Sequence, residues 1–246
     1  VYGRGTQSGF GPPTTPPAIK NLLIANLVVY IAQWVSPMVT ELGAITPALV
    51  WKHRFLWQPF TYMWLHSTYG IWHIAFNMFA LWMFGSPLAM AWGDKRFLRY
   101  YLVCGVGAGF VIATVPYIFG TATTVKVLGA SGAVMGVLLA YSFTWPDRTI
   151  MLLFPPIPLK AIWLIPLILL LEITTGPGNV SHAGHLGGVV VGWIYLVREG
   201  RTPGAPTFET LKYKWRRFQM RQRLRAVRDE EERRRREWHD DHRRYH

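Results

Sequence analysis

The sequence predicts an all-α integral membrane protein with a core of six transmembrane helices. Three observations lead there. The 246 residues are 51% hydrophobic and only 16% charged, a balance that suits helices dissolved in lipid better than one soluble core. Apolar residues gather into six segments, near 19–37, 69–92, 97–119, 131–146, 150–174 and 183–198, and lipid leaves backbone polar groups no partners but their own helix. Just over half of the formal net charge of +13 sits after Gly200, in runs such as Arg233 to Arg236, so the most basic region is a tail.

Residues 1–18 hold Gly3, Gly5, Gly9, Gly11, Pro12-Pro13 and Pro16-Pro17, which disfavour a packed element and predict a flexible leader. The opening at Val1 has no basic start, short apolar core or cleavage site. The first apolar run is therefore expected to be a permanent span, and the terminus a trimmed or processed one. Residues 19–200 form the expected six-span core and 201–246 a basic tail. Cytoplasmic loops carry the positive excess, which places the tail, the N-terminus and the turns at Asp94-Lys95-Arg96 and Asp147-Arg148 on one side. Segment 38–68 is then external. Its Trp51, Trp57, Phe60, Tyr62 and Trp64 suit the headgroup level, so it is expected to lie partly in the outer leaflet. In the tail, Leu211, Trp215 and Phe218 at helical spacing among Lys and Arg predict either a helix on anionic inner-leaflet lipid or a solvated one.

Several function classes drop out. Nucleic-acid binding needs a folded basic surface or stacking aromatics on a polar domain, and the tail offers neither beyond Tyr213, Trp215 and Phe218. The single cysteine, Cys104, excludes an intramolecular disulfide and a multi-cysteine metal site. No cofactor is expected.

Ser131 to Trp145 is 15 residues, roughly 22 Å of helix against a hydrocarbon core of about 30 Å. The fourth span is thus expected to start inside the membrane at Ser131. The sixth, counted from His185 to Val197, gives about 20 Å and predicts a similar inner start. Backbone approaching such starts must line a water-filled cavity or be covered by protein. Ser131 and Asn77 each lie 17 residues from an inner turn, at Arg148 and Asp94, and His185 lies 13 residues from Arg198. These spacings put the three residues in one layer about 20–25 Å above the inner boundary, with His73 one turn above Asn77 on the same face. Polar side chains at that depth mark function or interhelical hydrogen bonding. Gly132-x-x-x-Gly136 and Gly188-x-x-x-Gly192 permit the fourth and sixth helices to approach closely.

Gly129-Ala130-Ser131-Gly132, His185-x-x-Gly188-x-x-x-Gly192 and His73-x-x-x-Asn77, in that order and spacing, resemble the signature of the rhomboid intramembrane proteases. The likeness covers roughly residues 19–198 in the six-span bacterial-type layout. Trp57-Gln58-Pro59-Phe60-Thr61 leading to His66 resembles the family's membrane-embedded first loop, and Gly105-x-Gly107-x-Gly109 fits its third span. The resemblance implies a serine endopeptidase that cuts transmembrane segments of membrane proteins, with Ser131 as nucleophile and His185 as base. It implies an oxyanion site made by the Ser131 N–H with His73 and Asn77, no third acid, membrane lipid as surroundings and no obligatory protein partner. A bacterial plasma membrane follows from the same likeness, with the site opening to the external face. Three positions depart from the family pattern: Met135 where an aromatic is common, Gln58 where Arg is common, and Ala89 or Met90 where an acid is usual.

Rival readings are a rhomboid-like adaptor that binds client helices without cutting, a metalloenzyme using His66, His73, His182 and His185, and a transporter. The adaptor is expected to lack the serine or the histidine. The metal reading lacks His-Glu-x-x-His and a nearby carboxylate, and the transporter lacks an inverted repeat.

Overall fold

The structure, a computed structural model, describes residues 11–151, 156–175, 179–200, 216–217 and 220–223. Residues 1–10 of the leader, Phe154 and Pro155, the Glu172 side chain, and Leu211, Tyr213, Trp215 and Phe218 of the tail lie outside the described residues. The chain divides into two compact units, Val1–Leu196 and Val197–His246, and the first holds every predicted site residue.

α1 (Pro17–Val35) opens on a proline, whose fixed φ and missing N–H cost nothing at a helix start. The same device opens α2 (Pro37–Gly43) and α3 (Pro47–Lys52) in the first loop. α4 (Gln58–Thr61) and a 3-10 turn at Tyr62–Trp64 complete that loop. α5 (Trp72–Ala80) passes through a π-helical stretch, Leu81–Gly85, into α6 (Ser86–Trp92). α7 (Asp94–Phe119) ends at Gly120 with φ 64°, a left-handed cap that glycine adopts without a Cβ penalty. α8 (Ser131–Thr144), α9 (Leu164–Thr175) and α10 (Asn179–Arg198) follow.

Three stretches are long and apolar enough to cross a membrane: Pro17–Val35, Trp72–Trp92 and Asp94–Phe119. Ser131–Thr144 and Ala161–Leu171 are apolar but shorter. The protein is therefore a mostly helical membrane protein, its core centred on α7 and α8 with Tyr100, Tyr101, Cys104, Val137 and Ala140 fully buried.

Two expectations are corrected. The fifth apolar segment does not start as helix at 150: β1 (Thr149–Met151) pairs antiparallel with β2 (Pro158–Lys160), and the helix begins at Leu164 after a 3-10 turn. Pro156 and Pro158 supply no N–H donor, which disfavours helix there, and Pro158 sits at a strand end where the missing donor is tolerated. The sixth helix does not start at His185 either. α10 begins at Asn179 and runs 20 residues, about 30 Å, so His185 sits in its second turn and only α8 starts at the site.

The three glycines of the third span divide between two neighbours. A Cβ at Gly105 would meet Met63 Cε at 2.4 Å and one at Gly109 would meet Pro59 O at 2.6 Å, whereas one at Gly107 would meet Val191 of α10 at 2.8 Å. Positions i and i+4 share a helix face and i+2 does not. The motif therefore seats the first loop on one side of α7 and α10 on the other. Tyr62 reinforces the first contact by donating to Gly105 O at 2.8 Å, and burial pushes its phenol pKa well up. Gln58, in place of the common Arg, is fully buried: it accepts from the Thr46 N–H at 3.1 Å and donates to Leu42 O at 3.3 Å, tying the loop to itself.

Candidate active site

The segment leading into α8 is held on the first loop. Val127 and Ile45 form a two-bond bridge, and the Gly129 N–H donates to Tyr62 O at 3.0 Å. Gly129 has φ 134°, a conformation closed to other residues on steric grounds. A Cβ there would also lie 3.0 Å from His73 Nε2 and 3.6 Å from Ser131 Oγ, so the His73 ring edge and the Ser131 hydroxyl flank one side of Gly129. Ser131 is the first residue of α8, and no side chain caps that start. The first N–H groups of a helix have no intrahelical acceptor, which leaves donors beside the hydroxyl.

Ser131 Oγ lies 2.7 Å from His185 Nε2. Glycine contacts set this separation. A Cβ on Gly188 would fall 1.8 Å from Gly132 O, and one on Gly192 would fall 3.3 Å from Gly136 Cα. Both GxxxG faces thus meet, backbone to backbone, directly below the pair. Tyr100 donates to Gly136 O at 2.7 Å from the third helix.

His73 and Asn77 stand on α5 across the cavity. The Ser67 N–H donates to His73 Nδ1 at 3.2 Å. Nδ1 must then be bare, which places the proton on Nε2 of a neutral ring, the atom beside Gly129. Asn77 Nδ2 donates to His73 O at 2.8 Å; its second hydrogen is left for the cavity that Asn77 lines. That cavity holds about 450 Å³, and Tyr62, Phe76, Val127 and Val134 line it with the four predicted residues. The layer read from residue counts therefore corresponds to one cavity holding Ser131, His185, His73 and Asn77.

The His66 and His73 rings meet edge-on at 5.2 Å, and among the described residues no group of three His, Cys, Asp or Glu is placed to hold a metal ion. His66 is fully buried, and burial with the neighbouring His73 pushes its pKa down to about 3. Met135, where an aromatic is common, is buried within α8 at 4% exposure.

Sequence reasoning missed Gln33. Its side chain holds the backbone of His66, next to the Ser67 N–H that engages His73. A buried amide near the outer end of an apolar span was the available signal, since polar side chains inside a membrane are expensive.

Comparison with known proteins adds the following. A family model for the Rhomboid domain matches residues 53–201. The chain is 34% identical over 128 residues to "Rhomboid protein 1, mitochondrial" of Saccharomyces cerevisiae, covering 50% of this chain and 37% of that protein. It is 35% identical over 136 residues to "Presenilin-associated rhomboid-like protein A, mitochondrial" of Danio rerio, covering 53% and 34%. With "RHOMBOID-like protein 12, mitochondrial" of Arabidopsis thaliana it shares 36% over 153 residues, covering 55% and 45%. The matched part is thus less than half the length of each relative.

Proposed function

Because the chain belongs to the rhomboid family, we propose that it is an intramembrane serine endopeptidase that hydrolyses peptide bonds in or near transmembrane segments of other proteins. The single observation that carries the reading is the 2.7 Å approach of Ser131 Oγ to His185 Nε2 at a cavity wall. A serine hydroxyl is a weak nucleophile, and a neutral imidazole within hydrogen-bond reach activates it. Ser131 Oγ attacks the scissile carbonyl carbon while its proton passes to His185 Nε2. The oxyanion is held by the Ser131 N–H, His73 Nε2–H and the free Asn77 Nδ2 hydrogen. Collapse expels the amine, which takes the proton from His185, and water then attacks the acyl-serine by the reverse proton path.

In this reading the six apolar segments all span, the first loop lies in the outer leaflet, and both termini share the side of the basic tail. The substrate reaches the site laterally from lipid. The resemblance implies a bacterial plasma membrane, whereas the three relatives are named as mitochondrial; the orientation is proposed relative to the tail and applies in either membrane.

Purified protein in liposomes with a model transmembrane substrate tests this. Cleavage should occur with the native chain and vanish in Ser131→Ala and His185→Ala, and a fluorophosphonate should label Ser131 only when His185 is present. Binding of the client helix without cleavage or labelling would favour the adaptor. Cleavage that survives Ser131→Ala but stops with a chelator would restore the histidine-metal reading.

A further inference from the structure

The site's second histidine is held from α1 through a single peptide unit. Gln33 in α1 is 4% exposed. Its Oε1 accepts from the His66 N–H at 2.9 Å, and its Nε2 donates to His66 O at 2.9 Å and to Thr40 Oγ1 at 2.9 Å. Both amide hydrogens and the carbonyl are engaged, so position and rotation of the His66 backbone are fixed together. The carbonyl of His66 and the N–H of Ser67 belong to one planar peptide unit. That unit accepts from Gln33 at one end and donates to His73 Nδ1 at the other. A bond to the carbonyl polarises the N–H of the same unit and strengthens what it donates.

We propose that Gln33 is a positioning residue for the oxyanion site: through the peptide between His66 and Ser67 it holds His73 as the Nε2–H tautomer facing Ser131. The inference rests on the protease reading. Gln33 touches no reacting atom. Without it the peptide unit is free to rotate, the Ser67 N–H leaves Nδ1, and the His73 proton is no longer confined to the nitrogen beside Gly129. An isolated histidine shares its proton between both nitrogens, and a donor aimed away from the oxyanion contributes nothing to the transition state.

Two variants test this on the full chain in liposomes. Gln33→Leu keeps bulk but removes both hydrogen-bonding ends. Its kcat should fall about tenfold, part of the loss on deleting a donor outright, with KM within about twofold, because the oxyanion exists only in the transition state. Gln33→Glu supplies the more specific readout. A protonated carboxyl reproduces the pairing, accepting through C=O and donating through O–H to His66 O. Burial raises a carboxyl's pKa, as far as about 8–9 in documented sites. The variant should therefore work near neutral pH and lose kcat as pH rises and the carboxyl ionises against the His66 carbonyl, over a range where the native chain holds. His66 stays neutral throughout that range, its pKa lying at about 3. A generic packing role for Gln33 moves no such alkaline limb.

Folded Gln33→Leu with native kcat, or a Gln33→Glu profile that superimposes on the native one, overturns the proposal. Should Gln33→Leu fail to fold, the Gln33→Glu profile decides alone. Failure of the native chain to cleave, with Ser131 unlabelled, would instead remove the protease reading itself.

Discussion

Gly188 sits so close to Gly132 that a single added methyl would overlap the Gly132 carbonyl, at 1.8 Å. The obstacle is backbone, which cannot swing aside as a side chain can. Gly188→Ala should therefore push α10 away from α8 and carry His185 off Ser131. Loss of cleavage together with about 1–3 kcal/mol of stability is expected, read as turnover and thermal melting in detergent. Native turnover in Gly188→Ala would mean the helix contact does not set the 2.7 Å pair.

Removing oxyanion donors should act more mildly than removing Ser131. His73→Ala is expected to lower kcat by up to about 10²–10³-fold. Asn77→Ala should cost less, because one of its hydrogens already serves His73 O at 2.8 Å. Steady-state kinetics on one substrate compare the two; a larger loss for Asn77 would reverse the assignment of the principal donor.

Acid should lower the stability of the protein through His66. Its pKa is near 3 folded against the usual 6.5, so between those values the unfolded chain binds a proton that the folded chain does not. Stability is full above about pH 6.5 and declines as pH falls toward 3. Melting temperature against pH should show this slope and His66→Phe should flatten it. An unchanged slope in His66→Phe would assign the acid instability elsewhere.

Reporter fusions check orientation. Activity of a cytoplasm-specific reporter at both ends is expected from an even number of spans and the basic tail. An external C-terminus would turn the site cavity to the wrong face.

Residue counting along the chain grouped four polar residues from three apolar segments, and all four line one cavity; glycine spacing foretold the close helix contact, and Ser131 begins α8 as expected. The helix start before His185 was misjudged by counting from the histidine itself, since Asn179 to His182 are polar enough to read as loop yet open α10. The hairpin at 149–160 was hidden because a short apolar run has no period that separates strand from helix. Gln33 went unremarked because its partner is the backbone of a loop, and a backbone partner leaves no trace in side-chain patterning.

The π-helical stretch Leu81–Gly85 divides the second span into two cogs offset by one tooth. An extra residue in a turn shifts all that follows by about 100° relative to an unbroken α-helix. His73 and Asn77 on the outer cog face the cavity, while Leu88 and Ala89 on the inner cog are buried in the core. Deleting one residue between 81 and 85 would make a more regular helix, and the halves would then disagree. Either the inner end keeps its seat and the oxyanion donors rotate out of the cavity, or the donors stay and Leu88 turns toward lipid. The facing of His73 and Asn77 in this span is thus phased by an irregularity below them.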